Sequence, residues 1–112
     1  MWPTIWLLAD FVSTLTDPPH EVVPTVQRYF GTETIRALSV FWCESLHMPS
    51  AVSVTDDHGV AQISRTYWLD SYRHLWPSIY EVETNIKIGH EIWAWGERKW
   101  GDGFVLWTCG RM

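Results

Sequence analysis

The chain lacks a basic surface. Its 112 residues carry 8 Lys and Arg against 13 Asp and Glu, a formal charge of −5. No Lys/Arg stripe runs along it, which argues against the phosphate-neutralising face that a nucleic-acid partner requires. A long apolar run is also lacking. The most apolar N-terminal stretch, Ile5 to Leu15, is too short for a bilayer and contains Asp10. It reads as a poor secretion signal as well, because the first 27 residues hold no Lys or Arg. Cysteine is sparse, with Cys43 and Cys109 alone, too few for a zinc framework. His20, His47, His58, His74 and His90 are scattered without a paired-histidine motif, so neither a metal nor a cofactor is expected. Internal repeats, low-complexity tracts and linkers are missing too, which fits one small domain over residues 1–112.

Aromatic side chains are abundant. Nine tryptophans, in a composition 46% hydrophobic and 19% charged, mark a globular chain with a large aromatic payload. Trp suits a core and equally a cleft that stacks sugar rings. The cysteines read either as two core thiols, as in a reducing compartment, or as a disulfide. A disulfide would close a long loop and stabilise the fold by roughly 4 kcal/mol in the chain-entropy picture.

Periodicity predicts a mainly α chain with a minor β-element. Pro3 opens a first helix with Ile5, Leu8, Val12 and Leu15 on one face, and Asp17-Pro18-Pro19 ends it. Val22, Val26, Tyr29 and Phe30 mark a second, stopped by Gly31. Thr32 caps a third, with Ile35, Leu38, Phe41 and Trp42 at helical spacing, running to about Ser45. Val52 to Thr55 reads as a short strand and Asp56 to Gly59 as a turn, giving a hairpin or irregular loop. Trp68 to Tyr80 reads as helical turns and loop. Asn85 to Trp95 is helical, with Ile88, Ile92 and Trp95 on one stripe and an exposed Lys87–Glu91 pair. Gly96 to Met112 reads as a wrapped tail closing on Cys109.

Glu44 falls on the last turn of the third helix, in Phe41-Trp42-Cys43-Glu44-Ser45. Breaking a glycosidic bond needs a proton donor for the leaving oxygen and a second group for the developing oxocarbenium ion. A carboxylic acid in an apolar, Trp-rich pocket suits the first task. Cys43 projects about 100° from Glu44 around the helix, which favours packing or a disulfide over catalysis.

Four segments in order resemble the lysozyme and lytic-transglycosylase superfamily. Glu44-Ser45 precedes Pro49-Ser50-Ala51-Val52-Ser53, then Gly59-Val60-Ala61-Gln62-Ile63, then Asn85-Ile86. Tyr29-Phe30-Gly31, Cys43-Glu44-Ser45 and Trp107-Thr108-Cys109 are similar to phage-borne and actinobacterial lysozyme-like domains, and the resemblance spans roughly residues 22–109, after an N-terminal helical extension at 1–21. It implies an α+β lysozyme-like fold whose small β-hairpin or loop lines the cleft. It implies Glu44 as general acid, Ser45 as a hydrogen-bonding support in the substrate-binding set, Gln62 as a contact to the N-acetyl group, and Gly59 as a point of close backbone approach to sugar. Tyr67 and Trp68 join the substrate-binding set. Asp57 matches the second carboxylate of animal-type lysozymes, and as a plain turn residue it reads equally well; Asp56 is the neighbouring register. The family's late Tyr-Asn motif is missing, leaving Tyr67, Tyr72 or Tyr80 to approach the acid, and His58 and Ala61 stand where bulkier apolar residues are usual. Trp68, Trp93 and Trp107 are candidate sugar-stacking rings, although core packing explains each one too.

The expected function is therefore peptidoglycan cleavage at the β-1,4 bond between N-acetylmuramic acid and N-acetylglucosamine. The expected agent is a muramidase or lytic transglycosylase, a monomer acting as a phage or secreted lysin outside the cell, at the wall or on a virion. The alternative is a degenerate lysozyme-fold module that binds glycan or serves a virion or wall structure. Chitin is a further substrate option. The acidic charge weakens long-range attraction to an anionic wall.

Overall fold

Val22, Thr25, Val26 and Phe30 recur three and four apart, and that spacing folds Val22–Phe30 into helix α1 with these four residues buried. The computed structural model describes residues 21–112; the expected Ile5–Leu15 helix lies outside the described residues. Gly31, at φ 52°, ends α1 and begins a 3-10 turn over Gly31–Glu33. Helix α2 then runs Thr34–Ser45.

The start of α2 differs from the sequence expectation. Glu33, not Thr32, takes the N-cap position, and no side chain caps it; the Thr34 hydroxyl donates to the Gly31 carbonyl at 2.5 Å. The buried face of α2 differs as well. Ala37, Val40, Phe41 and Ser45 are buried, while Ile35, expected in the stripe, is 80% exposed. The helix closes on Leu46 in the left-handed region, with the Leu46 N–H on the Trp42 carbonyl at 2.8 Å.

The hairpin is real but displaced. Its strands are β1, Asp57–His58, and β2, Ile63–Ser64, antiparallel with Asp57 opposite Ser64. Val52 makes only an isolated bridge to His58, so Val52 to Thr55 is a lead-in and not a strand. The reversal falls at Gly59–Gln62, with Gly59 at φ 79° and Gln62 at φ 50°. Ser64 caps the short helix α3, Arg65–Trp68.

Helix α4, Val82–Trp100, is longer at both ends than Asn85 to Trp95. Gly96 does not stop it. A Cβ there would lie 2.9 Å from Gly103 Cα, so Gly96 serves close packing of the tail against the helix. The stop is Gly101 at φ 78°. Glu91 accepts from the Tyr72 hydroxyl at 3.1 Å, in place of the expected pair with Lys87. The tail forms 3-10 turns at Gly103–Leu106 and Cys109–Arg111 along α4 and α2.

Among the described residues, α1, α2, the hairpin loop, α4 and the tail share one hydrophobic core. Phe104, fully buried, sits within 6.2 Å of the rings of Phe30, Trp93 and Trp107. Arg36 holds the tail from outside, donating to Asp102 at 2.8 Å and lying 4.8 Å over the Phe104 ring. Cys43 and Cys109 are joined as a disulfide with Cα atoms 6.1 Å apart. The described chain is thus mainly helical, with a two-stranded sheet beside the end of α2. No described helix is long and apolar enough to cross a membrane.

Candidate active site

The end of α2, the hairpin, α3, α4 and the tail surround a cleft of ≈ 780 Å³. Glu44 lies on one wall because it occupies the last turn of α2. Asp57 lies on another because β1 alternates its side chains, sending Asp57 to the cleft and His58 inward. These two carboxylates are the charged groups in a lining that also includes Gln62, Tyr67, Trp68 and Trp95.

Each carboxylate is held by donors on one oxygen. Glu44 Oε1 accepts from the Cys109 N–H at 2.9 Å. The disulfide to Cys43, one residue before Glu44, pins that donor. Asp57 Oδ2 accepts from the hydroxyls of Ser53 at 2.8 Å and Thr55 at 2.5 Å. Asp56 is directed elsewhere. At φ 63° it turns back to accept from His58 Nε2 at 2.6 Å, while His58 Nδ1 meets the Tyr80 hydroxyl at 2.7 Å. Asp56 is not in the cleft lining, so the hairpin presents Asp57 to the cleft.

Ser45 stands behind the wall. Its buried hydroxyl is bonded to the carbonyls of Phe41 at 3.0 Å and Val60 at 2.6 Å, tying α2 to the hairpin loop. Gly59 is also buried and outside the lining. The need for glycine is internal: a Cβ would fall 2.1 Å from Asn85 Nδ2 at a left-handed φ. The expectation of close approach to sugar is replaced by close approach to Asn85. Gln62 does line the cleft, but its Nε2 is already spent on the carbonyls of Ala51 at 3.2 Å and Gly59 at 3.0 Å. That leaves its Oε1 as the acceptor for a ligand N–H.

Aromatic rings flank the carboxylates. Tyr67 is 80% exposed at the rim, and Trp68 is half-buried against Trp95 at 5.7 Å, edge to face. Of the other stacking candidates, Trp107 is buried and gives its indole N–H to the Ala61 carbonyl at 2.6 Å, so little of it faces the cleft. Trp93 lies in the core among Phe30, His90 and Phe104, away from the lining. None of the three candidate tyrosines hydrogen-bonds Glu44. Tyr72 is bound to Glu91 and Tyr80 to His58, while Tyr67 lines the rim.

Sequence reasoning missed the supporting residues. Asn85 is fully buried and joins three backbone groups: it accepts from the Ala61 N–H at 2.7 Å and donates to the carbonyls of His58 and Ile79, each at 2.9 Å. Its place in Asn85-Ile86 was visible, but its partners lie 24 and 27 residues back in the chain. Ser53 and Thr55 carried a signal, two small hydroxyls spaced at two before Asp57, which strand reading obscured. Trp95, expected on one helical stripe with Ile88 and Ile92, is 37% exposed on the cleft wall. Behind the end of α2, His47 is buried against Trp42 at 5.3 Å, and burial pushes its pKa below the ordinary histidine value against the opposing bond to the Leu38 carbonyl.

Among the described residues no group of three or more His, Cys, Asp or Glu side chains is placed to hold a metal ion. No family model matches the chain, and no curated protein or solved structure matches it either.

Proposed function

We propose that the protein is a lysozyme-like glycosidase that cleaves the β-1,4 bond between N-acetylmuramic acid and N-acetylglucosamine in peptidoglycan. One observation carries this reading: Glu44 and Asp57 face a single cleft walled by Tyr67, Trp68 and Trp95. Two carboxylates with different surroundings suit the two tasks of glycoside cleavage. Glu44 gives its proton to the bridging oxygen through the oxygen not engaged by Cys109. The Cys109 N–H then stabilises the carboxylate that forms. Asp57, held in place by the Ser53 and Thr55 hydroxyls, stabilises or attacks the oxocarbenium-like carbon, and water completes the cleavage. Gln62 Oε1 suits the N-acetyl N–H. The presence of Asp57 favours hydrolysis over intramolecular transglycosylation. The disulfide favours action in an oxidising exterior.

Mass spectrometry of digested peptidoglycan tests this. Wild-type protein should release fragments with reducing muramic ends, and Glu44→Gln should release none. Retained lytic activity in Glu44→Gln refutes the mechanism, and anhydromuramic ends transfer the oxocarbenium step from Asp57 to the substrate. A second reading, a glycan-binding module without catalysis, draws on the absence of any tyrosine hydroxyl bonded to Glu44 among the described residues. Binding to purified peptidoglycan with no fragment released by the wild type would establish it.

A further inference from the structure

The last two turns of α4 carry a feature the cleft chemistry does not use. Trp95 belongs to the cleft wall, touching Trp68 on the inner side. On its outer side it meets Trp100, edge to face, with ring centroids 5.2 Å apart. Trp100 is 52% exposed, outside the cleft lining. Three indoles are therefore joined by successive edge-to-face contacts, from Trp68 and Trp95 in the cleft lining to the exposed Trp100. Trp95, like Trp100, leaves a large part of its apolar surface exposed.

A cation accompanies the rings. Lys99 Nζ lies 5.2 Å from the Trp95 centroid and 5.5 Å from that of Trp100. Among the described residues it makes no ion pair, so its charge is held only by the weak attraction of two exposed rings. The cleft lining itself has two carboxylates and no Lys or Arg. A glycan bearing carboxylates would meet repulsion from the two cleft carboxylates and attraction from Lys99 at this shelf.

We propose that Trp95, Trp100 and Lys99 form a glycan subsite beyond the cleft. It stacks a further pyranose ring of a β-1,4-linked N-acetylated polymer on the indoles, and its ammonium pairs with a carboxylate carried by that polymer. The axial C–H face of a pyranose is apolar and meets an indole face as another hydrocarbon would. The subsite rests on the reading of the cleft as a glycan cleft, because the indole contacts continue from it. It makes Lys99 the residue that separates carboxylate-bearing muramyl strands from neutral chitin-type strands.

Binding measured by calorimetry on the non-cleaving Glu44→Gln protein tests the subsite. The probes are a soluble muramyl glycan strand, a neutral hexamer of β-1,4-linked N-acetylglucosamine and the corresponding trimer. Trp100→Ala should weaken both long glycans on the order of tenfold and leave the trimer unchanged. Lys99→Gln should weaken the muramyl strand about two- to fivefold, with the loss erased by high salt, and leave the neutral hexamer unchanged. Both residues are exposed, so circular dichroism should show an unaltered fold. Unchanged affinity of Trp100→Ala for long glycans overturns the subsite while the cleft reading stands. Equal losses of Lys99→Gln on neutral and anionic glycans overturn the carboxylate assignment. A parent protein that binds no probe overturns the cleft reading and the subsite with it.

Discussion

Reducing the Cys43–Cys109 disulfide should cost the protein both stability and catalytic rate, through two separable effects. The bond closes a loop with a sequence separation of 66 residues. In the chain-entropy picture a loop of that length is worth about 4 kcal/mol. For a domain of this size that corresponds to a fall of roughly 15–30 °C in Tm. The second effect is local. The tail up to Trp107 has its own anchors: Phe104 in the core, the Gly103 N–H on Glu97 at 3.0 Å, and the Trp107 indole on Ala61 at 2.6 Å. Beyond Trp107 the disulfide is the covalent tie to α2, beside Arg111 donating to the Val105 carbonyl at 2.6 Å within the tail and Arg36 reaching the Gly110 carbonyl at a long 3.5 Å. Reduction should therefore free the last residues and withdraw the Cys109 N–H from Glu44 while the core persists. A hydrogen bond to a charged group contributes about 1.5–3 kcal/mol. The bond is strongest against the carboxylate that Glu44 becomes as it donates its proton, so the loss should appear as roughly a 10- to 100-fold fall in kcat with little change in KM. The assay pairs thiol titration and near-UV circular dichroism with kinetics on soluble glycan before and after dithiol treatment, and Cys43→Ser/Cys109→Ser serves as the permanent mimic. A reduced protein that is fully folded and turns over at the oxidised rate would refute the role given to the Cys109 N–H. An unchanged Tm would refute the entropic estimate.

Other substitutions and titrations probe the supports of the site. Asn85→Ala orphans the Ala61 N–H and the carbonyls of His58 and Ile79, so denaturant unfolding should show a loss on the order of 3 kcal/mol or more; a loss below about 1 kcal/mol would show that the clamp is dispensable. His47 and His90 are both pushed below the ordinary histidine pKa by burial, which makes protonation cheaper in the unfolded chain. Stability should be full above about pH 6.5, the unfolded histidine value, and decline as pH falls from there through the lower folded values. Replacing His47 by Gln should flatten that part of a Tm-versus-pH curve, and an identical slope would assign it to other groups. Tyr72 has its pKa raised to about 12 by burial and then by Glu91, so its contribution is complete below the ordinary tyrosine value and lost as pH rises toward 12. Absorbance titration should show a late tyrosinate component that disappears in Tyr72→Phe.

The helices were legible because their causes are local. Val22 to Phe30 has the spacing of a buried stripe, Gly31 supplies its positive-φ stop, and Glu44 falls on a last turn whichever residue caps the start. The face of α2 was less legible. Which face is buried is set by α1 and the tail packed against it, and Ile35 falls on the solvent side. The hairpin was misplaced for a similar reason. Turn-forming residues at Asp56 to Gly59 matched a reversal by composition, yet Asn85 fixes the reversal later, at Gly59–Gln62, through bonds from a distant helix.

The sequence by itself determined a mainly helical chain, an acidic and aromatic-rich character, and a carboxylate at a helix end ahead of a β-loop. Local spacing and composition suffice for those. Only the tertiary structure decided which aspartate faces the cleft, because that depends on a one-residue register set by His58, Tyr80 and Asn85. It also decided that the cysteines meet, that the Cys109 N–H touches Glu44, and that Trp95 and Trp100 stand outward. These are contacts between residues far apart in the chain, and no local pattern encodes them.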